Sequence, residues 1–220
     1  MNAHGANQGK AGMNFLEEAE KIRDEVIGWR RKIHAYPELR GDEHKTAELV
    51  ATLLKEFGVK EIHEGASKTG VVAVVPGAPG GKTVALRADM DALRIEEEND
   101  LPFKSTRPGL MHACGHDAHT AMLLGAAKII SSLPEPPAAN VKLVFQPAEE
   151  GGEKIGGEQI VGEGWLDGVD ISFALHIDPL IESRAVSVLT GPEYAAADRF
   201  IIEVLGKGGH GALPHKAIDP

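Results

Sequence analysis

Four short runs of mainly apolar residues constrain the fold of this chain more than any other feature. They are Gly70–Val75, Thr83–Leu86, Val141–Phe145 and Ile171–Leu175. Each has the length of a strand, and runs of this character are typical of strands that are buried on both faces of a parallel sheet. Helical segments such as Ala118–Ile130 lie between them. The alternation predicts an α/β domain with a largely parallel sheet flanked by helices.

The first part of the chain is expected to be helical. Asn14 followed by Glu17 resembles a capping box, and apolar residues at helical spacing continue until Pro37 ends the run. A second helix is predicted from about Glu43 to Phe57, before a glycine at position 58.

The length of 220 residues predicts one sizeable domain and part of another. Residues 1–13 are small and polar, and we expect them to form a flexible tail. The α/β domain is expected over residues 14–192. A second domain, of α+β type, is expected to begin at residue 193 and to be unfinished at Pro220.

Composition excludes several classes of protein. The formal net charge of −10 argues against nucleic acid as the main partner. No apolar run approaches the roughly 18 residues that a membrane span needs, and the N-terminal residues lack the apolar segment of a secretion signal. Cys114 is the only cysteine, which excludes an intrachain disulfide framework and fits a reducing compartment. We therefore expect a cytoplasmic protein.

Polar residues follow three of the predicted strands at the point where each strand ends. Asp89 and Asp91 follow the second apolar run, Glu149 and Glu150 follow the third, and His176 follows the fourth. In open α/β sheets the ligand site forms outside the carboxyl ends of the strands, so these side chains should converge. The sequence thus predicts an active site at this edge of the sheet.

A histidine-rich segment from His112 to His119 lies where the central helix begins. Asp117 is the expected N-cap, which puts Cys114 and His116 on the preceding loop, where the helix dipole lowers the pKa of a thiol. Joined by the two glutamates and the histidine after the strands, they make a mixed sulfur, nitrogen and oxygen donor set. Such a set suits zinc, or manganese, cobalt or nickel, more than calcium or magnesium.

Each of these residues alone also has a simpler interpretation. A lone cysteine is most often a small buried apolar residue, and a histidine at a strand end more often makes a structural hydrogen bond. Adjacent glutamates are usually solvated, and aspartates after a strand can be turn formers. The metal site is favoured because these alternatives would all have to coincide at one sheet edge.

Four long motifs occur in a fixed order, at Ala85–Leu93, Gly109–Leu124, Phe145–Gly151 and Gly206–His215, with a fifth at Arg30–Glu38. Together they resemble the amidohydrolase branch of the M20 metallopeptidase family, which contains N-acyl-amino-acid hydrolases, hippurate hydrolase, auxin-conjugate hydrolases and related carboxypeptidases. The resemblance implies a zinc-exopeptidase-like catalytic domain over residues 14–192. It implies the start of a lid and dimerisation domain over residues 193–220, and hence a homo-oligomer.

The resemblance also implies a role for each site residue. The metal ligands of two divalent ions would be Cys114, His116, Glu150 and His176. Glu149 would be the general base that takes a proton from the attacking water. Asp91 would orient a ligand, and His210, from the lid, would stabilise the oxyanion. The remaining histidines of the motifs are expected to be structural: His112, His119 and His215.

Two departures from the family pattern bear on function. Position 94 is Arg, where relatives commonly carry proline, which affects the shape of a loop near the site. The family's final metal-ligating histidine, which follows the lid domain, is not in the sequence. We therefore expect a fragment or truncated protein with little or no activity when isolated, whose full-length parent hydrolyses amide bonds next to a free carboxylate.

Two other functions remain open at this point. Cys114 could be the nucleophile of a cysteine hydrolase, with His116 or His176 as its base. The chain could also be a metal-binding module without chemistry, although Glu149, which has no role except catalysis, argues against it. Within the enzyme, the residues do not decide between removing an acyl group from an amino acid and trimming the C-terminal residue of a peptide.

Overall fold

The computed structural model describes residues 13–150, 156–192 and 200–220. The chain divides into two compact units, Met1–Pro179 and Leu180–Pro220. The sequence predicted the boundary at residues 192/193, whereas the two units divide at 179/180. The predicted flexible tail lies outside the described residues except for Met13, and the assignment of the two parts as catalytic and lid domains stays a prediction.

The first unit has α/β architecture, as the sequence predicted. Its elements in chain order are α1 (Phe15–Lys21), α2 (Arg23–Ala35), α3 (His44–Glu56), β1 (Glu61–Ala66), β2 (Gly70–Val75), β3 (Thr83–Asp89), α4 (His116–Ser131), β4 (Asn140–Gln146), α5 (Gly157–Gly162) and β5 (Ile171–Ala174). The five strands form one sheet in the order β1-β2-β4-β3-β5.

The sheet is mixed, so the expectation of a largely parallel sheet holds for one half of it. β3 pairs in parallel with both β4 and β5, whereas β1 with β2 and β2 with β4 are antiparallel. β1 and β2 are joined by a tight turn in which Ser67 and Lys68 have positive φ, and such a short connection permits only antiparallel pairing. The parallel half carries the loops that hold the predicted site.

The N-terminal helical stretch is interrupted at Ile22, which ends α1 and precedes α2. The predicted cap is present, since Asn14 Oδ1 accepts a hydrogen bond from Leu16 N at 3.1 Å and its amide nitrogen donates to Glu17 at 2.9 Å. α3 ends before Gly58, which takes the left-handed conformation (φ 82°) expected of a C-terminal glycine.

Apolar side chains form one layer on each face of the sheet. Alternate residues of β2 and β4 point to opposite faces, so Val71 and Leu143 pack with α3 and α4, whereas Val72 and Val144 pack with α5. The strands β2 and β4 are therefore buried on both faces, as their apolar sequences predict. Leu54 of α3, like these residues, is almost fully buried.

β5 differs from the prediction of a strand that is buried on both faces. The exposed fraction of Ile171 is 46% and that of Phe173 is 57%. β5 is an edge strand, and among the described residues its only strand partner is β3. An apolar sequence therefore predicted the strand correctly but not its burial, because burial depends on what packs against it.

A buried carboxylate, that of Glu43, connects the start of α3 to the loop after β4. Thr69 Oγ1 donates to it at 2.5 Å, and Ala148 N donates to its other oxygen at 2.8 Å. Burial raises the pKa of Glu43, although these hydrogen bonds lower it in part. The folded state consequently favours the protonated carboxyl group more than the unfolded chain does.

We expect a Glu43→Gln variant to gain stability relative to the wild type as pH rises from about 4 to about 7. A raised pKa means that the stability contributed by Glu43 is complete at low pH and is lost as the group ionises in the folded state. The amide does not ionise, can accept from Ala148 N, and can donate to Thr69. Urea unfolding at several pH values measures the difference, with the exposed Glu48→Gln as matched control. A pH-independent difference between Glu43→Gln and wild type would contradict this assignment.

The second unit, taken by itself, contains little regular structure in its described residues. Lys207 and Ile218 form an isolated antiparallel bridge, and Pro214–Lys216 form one turn of 3₁₀ helix. Several apolar side chains are highly exposed, among them Phe200 at 87%. In the described parts of the chain, no helix has the length and apolar character that a membrane span requires.

Candidate metal centre

The carboxyl ends of β3, β4 and β5 lie at one edge of the sheet, because β3 runs parallel to both of its neighbours. The register places Asp89 beside Gln146 and Arg87 beside Ala174. The loops that follow these strands consequently start side by side. They carry the side chains that the sequence predicted to converge.

The loop before α4 brings Cys114 next to the segment that follows β5. Its last residue, Gly115, has a φ of 84°, and α4 begins at His116. A Cβ at Gly115 would lie 3.1 Å from Cβ of Ile177, so the two segments pack closely there. Cys114 Sγ lies 3.5 Å from His176 Nε2.

The prediction that Asp117 is the N-cap of α4 is wrong, since Gly115 occupies that position and Asp117 lies in the first turn. Its buried carboxylate accepts hydrogen bonds from Arg30 Nε at 2.6 Å and from His34 Nδ1 at 2.8 Å. Because both donors come from α2, the carboxylate joins two helices instead of capping its own. It thereby fixes the helix end that carries the site histidine.

His116 presents a free ring nitrogen to a group of carboxylates. Its Nδ1 lies 3.2 Å from Asp91 Oδ1 and donates to it, so in the neutral ring Nε2 carries the free lone pair. Nε2 is buried and has no hydrogen-bond partner among the described residues. It faces carboxylate oxygens of Asp89 at 3.6 Å, Glu149 at 3.9 Å and Glu150 at 4.0 Å.

Asp91 connects two of the predicted ligand positions. While one oxygen contacts His116 Nδ1, the other accepts a hydrogen bond from Glu150 N at 2.9 Å. Asp91 is 1% exposed, so neither bond competes with bulk water. Asp91 thus contacts both neighbouring groups at once, and its role as a positioning residue stays a prediction.

The ring of His176 is arranged like that of His116, with Nδ1 in a hydrogen bond and Nε2 facing another ligand atom. Its Nδ1 lies 2.7 Å from the carbonyl oxygen of Ile177, which can only accept, so Nδ1 carries the proton. In the neutral ring Nε2 then carries the free lone pair, and this atom lies 3.5 Å from the sulfur of Cys114. Two imidazoles with occupied Nδ1 and available Nε2 atoms are the arrangement that metal-binding histidines show.

The described residues contain three groups whose ligand atoms all lie within 4.8 Å of one another. In the group Asp89–His116–His119, both ring nitrogens of His119 already make contacts, with Asp89 and with Ile177 N. The other two groups keep free donor atoms. The orphaned, buried Nε2 of His116 and the soft and hard donors around it fit a transition-metal cation. The groups are Cys114–His116–His176, His116–Glu149–Glu150 and Asp89–His116–His119.

The prediction that the thiol of Cys114 has a lowered pKa is reversed. Burial, together with the nearby carboxylates of Glu150, Glu149 and Asp89, raises the pKa of Cys114 to about 12. These three acidic groups and burial together outweigh the effect of the positive end of one helix on the pKa of the thiol. In the same environment burial lowers the pKa of His116, but Asp91 and Asp89 raise it by more. The candidate metal centre therefore contains more negatively charged than positively charged side chains.

His119, which the sequence assigned to a structural role, connects β3 to the segment after β5. Its Nδ1 lies 2.6 Å from Asp89 Oδ1, and its Nε2 accepts a hydrogen bond from Ile177 N at 2.9 Å. This bond holds the residue next to His176, and so sets the position of that imidazole. The signal in the sequence was the spacing of His119 three residues after His116, which places both on one face of α4.

The other predicted histidines are not members of these groups. His210 belongs to the second unit, where its Nδ1 accepts from Ala212 N at 3.2 Å. His215 belongs to the same unit. His112 is buried in the first unit with neither ring nitrogen hydrogen-bonded, and burial lowers its pKa to about 4.

Comparison with known proteins identifies the family. The model of peptidase family M20/M25/M40 matches residues 85–204. The chain is 48% identical over 203 residues to an N-acyl-L-amino acid amidohydrolase of Geobacillus stearothermophilus, covering 91% of this chain and 54% of the relative. It is 48% identical over 204 residues to thermostable carboxypeptidase 1 of Saccharolobus solfataricus, covering 92% and 52%.

Among solved structures, the chain resembles a Bacillus subtilis peptidase of the M20 family that is described as dinuclear metal binding. The TM-score is 0.68 and the identity 38%, over 73% of this chain and 44% of that one. The chain belongs to the M20 peptidase family and is related to hydrolytic enzymes. It spans about half the length of the curated relatives it matches.

We expect Cys114 to react with iodoacetamide on the order of a hundred to a thousand times more slowly than cysteine in a short peptide, when no metal is added. The raised pKa leaves very little thiolate at about pH 8. Because Cys114 is the only cysteine, the loss of free thiol measures it directly. The urea-unfolded chain should react at the normal rate, and Glu150→Gln should accelerate the folded one. A fast reaction of the folded, metal-free wild type would show that the thiol is ionised.

Removing the hydrogen bonds of His119 should weaken cobalt(II) binding by about ten- to a hundredfold. His119→Leu loses both bonds, whereas His119→Gln retains an acceptor for Ile177 N, so the expected order of affinity is wild type, Gln, Leu. Titration of the cobalt absorption bands measures it, with His63→Gln on the exposed β1 as control. If His119→Leu binds cobalt as tightly as the wild type, Asp89 and His119 do not position His176.

Proposed function

We propose that this chain is part of a metal-dependent hydrolase that cleaves an amide bond next to a free carboxylate. The observation that carries the proposal is the buried, unpartnered Nε2 of His116, with Glu149, Glu150 and the Cys114–His176 pair gathered around it. Two curated relatives are named as an N-acyl-L-amino acid amidohydrolase and a carboxypeptidase, and both names denote hydrolysis of an amide bond next to a free carboxylate. The proposal leaves open which of the two reactions this protein performs.

Two divalent cations would be held by Cys114, His116, Glu150 and His176. Zinc suits this combination of thiolate, imidazole and carboxylate, and manganese, cobalt and nickel are the alternatives to test. When bound, such cations polarise the amide carbonyl and lower the pKa of water. They would also remove the charge imbalance that now keeps the thiol protonated.

The protein's own groups divide the remaining work. Glu150 has its backbone fixed by Asp91 and a side chain that is 25% exposed, whereas the side chain of Glu149 is 41% exposed. Glu149 can therefore accept a proton from water at its carboxylate and pass it to the leaving nitrogen. Asp91 holds His116 and Glu150 in place, and we assign oxyanion stabilisation to His210 of the second unit.

The cysteine-nucleophile alternative is disfavoured by the electrostatics of the site. A nucleophilic cysteine needs an environment that stabilises thiolate, and the carboxylates around Cys114 do the opposite. A cation would stabilise the thiolate, but it would also occupy the sulfur lone pairs. A non-catalytic metal-binding module shares the ligands with the proposed enzyme, so only Glu149 separates the two.

The further proposals concern the setting of the reaction. The substrate would be an N-acyl amino acid or a short peptide, with no role for nucleic acid or a membrane. We propose a cytoplasmic protein that assembles as a homo-oligomer through its second unit. The isolated chain is expected to be far less active than a relative of curated length.

The function is tested by hydrolysis of N-acetyl and N-benzoyl amino acids and N-blocked dipeptides by the metal-loaded chain. The amidohydrolase of Geobacillus stearothermophilus serves as positive control. We expect slow hydrolysis that a chelator abolishes and added metal restores. In Glu149→Ala the metal content should stay at the wild-type level while hydrolysis falls at least a hundredfold.

Other outcomes identify the alternatives. Hydrolysis that survives the chelator but not Cys114→Ser would establish the cysteine mechanism. Stoichiometric metal without any hydrolysis by the full-length parent, under conditions in which the control enzyme is active, would establish a metal-binding module, whereas the same result with the isolated chain alone would not.

A further inference from the structure

The turn that leads into Glu149 and Glu150 contains a rare backbone conformation. Ala148 has a φ of 53°, in the left-handed region that residues with a Cβ seldom adopt. It is 3% exposed and directly precedes the two glutamates. A return of Ala148 to a right-handed or extended conformation would rotate φ by more than about 100° and redirect the following peptide. The conformation of this one residue consequently sets the direction in which the chain enters the two glutamates.

Close backbone contacts surround this turn. Gly156 N donates to Ser67 Oγ at 2.8 Å, and a Cβ at position 156 would lie 2.6 Å from the carbonyl oxygen of Ala148. A Cβ at Gly70 would lie 2.8 Å from Cδ of Pro147. Both positions therefore accept only glycine without a shift of the turn. These contacts limit the space around the turn, whereas its hydrogen bond comes from a different part of the chain.

The partner of the Ala148 amide is the buried carboxylate of Glu43. Ala148 N donates to Glu43 Oε1 at 2.8 Å, and Thr69 Oγ1 donates to Oε2, so both carboxylate oxygens are occupied. Glu43 is 0% exposed. It stands at the N-cap of α3, yet its side chain makes no capping hydrogen bond to the described residues of that helix. The carboxylate is therefore committed to the turn and to Thr69 instead of to its own helix.

The chain beyond this turn is held at the candidate metal centre. Glu150 N donates to Asp91 Oδ2 at 2.9 Å. Carboxylate oxygens of Glu149 and Glu150 lie 3.9 and 4.0 Å from Nε2 of His116. Two amides that donate to buried carboxylates are thus only two positions apart in sequence, one at the left-handed residue and the other at the predicted ligand.

We propose that Glu43 is a positioning residue of the candidate metal centre. It holds Ala148 in the left-handed conformation and so directs the two following glutamates toward His116. A left-handed residue with a Cβ costs free energy and persists only where its surroundings enforce it. The hydrogen bond to Glu43 is such a restraint, because breaking it would leave a buried donor unpaired. The inference rests on the proposed function, since the two glutamates have their assigned roles only in the metal-dependent hydrolase.

Cobalt(II) titration of the chain measures the effect on metal binding. Glu43→Leu removes the acceptor for Ala148 N and should weaken cobalt binding about tenfold. Glu43→Gln keeps an acceptor and should bind cobalt as tightly as the wild type. Ala148→Gly removes the cost of the positive φ, so adding it to Glu43→Leu should restore about fivefold of the lost affinity. If Glu43→Leu does not fold, Glu43→Asp, which is one methylene shorter, should show the same losses in smaller measure.

Amide hydrogen exchange of the metal-free chain gives a readout that does not depend on the metal. The amide of Asn140, at the other end of β4, donates to a backbone carbonyl at 2.8 Å and reports global unfolding. In Glu43→Leu the exchange rate of the Glu150 amide, divided by that of Asn140, should rise about tenfold, because the released turn opens locally. Thr69→Val is the matched control. It removes the other hydrogen bond of the same carboxylate, so it should lower stability and leave both the ratio and the cobalt affinity unchanged.

The two readouts separate this inference from the proposed function. Absence of cobalt binding by the wild type would refute the metal centre, whereas the exchange ratio in Glu43→Leu would still decide whether Glu43 holds the turn. An exchange ratio that stays at the wild-type value in this variant would overturn the positioning role, whatever the cobalt affinity. Cobalt binding that is equally weak in Glu43→Leu and in Thr69→Val would also overturn it, since loss of stability alone would then explain the effect.

Discussion

The carboxylate of Asp91 is the constraint on which the candidate site depends. It contacts one residue 25 positions away in sequence, His116, and another 59 positions away, Glu150. Both contacts are buried, so they fix the ring of a helix residue relative to the backbone of a strand-end loop. The interaction is possible because β3 and β4 are parallel neighbours whose ends lie side by side.

A second constraint is electrostatic. Asp89, Glu149 and Glu150 all act on a single thiol, and the positive charge of Arg87 is directed to Asp89 at 2.8 Å. The raised pKa of Cys114 is a consequence of this crowding of acids. A protein without a cation to bind would gain nothing from such a cluster, since burying charge without compensation costs free energy. The excess of acids is thus a property that supports the proposed metal centre.

Much of the site was predictable because local sequence determines which residues end a strand or precede a helix. Short apolar runs predicted β2 in full and β4 to within one residue at each end, whereas β3 continues three residues beyond its predicted end, to Asp89. The polar residues after these runs included Asp91, Glu149 and Glu150. The same local reasoning failed for Asp117, whose carboxylate could either cap its own helix or accept hydrogen bonds from another helix. Asp117 has the chemistry of an N-cap, but donors on α2, more than 80 positions earlier in sequence, take its carboxylate.

Sequence alone determined which metal-donor side chains are present and that they stand at the ends of strands and at the start of a helix. It could do so because strand and helix formation follow from patterns within a few residues. It determined the family as well, because several motifs stand in a fixed order. Only the tertiary structure decided that β2 and β4 run antiparallel, that β5 is exposed, and that the pKa of the Cys114 thiol is raised. Those properties depend on which distant groups become neighbours, and both burial and Coulomb interactions act through space and not along the chain.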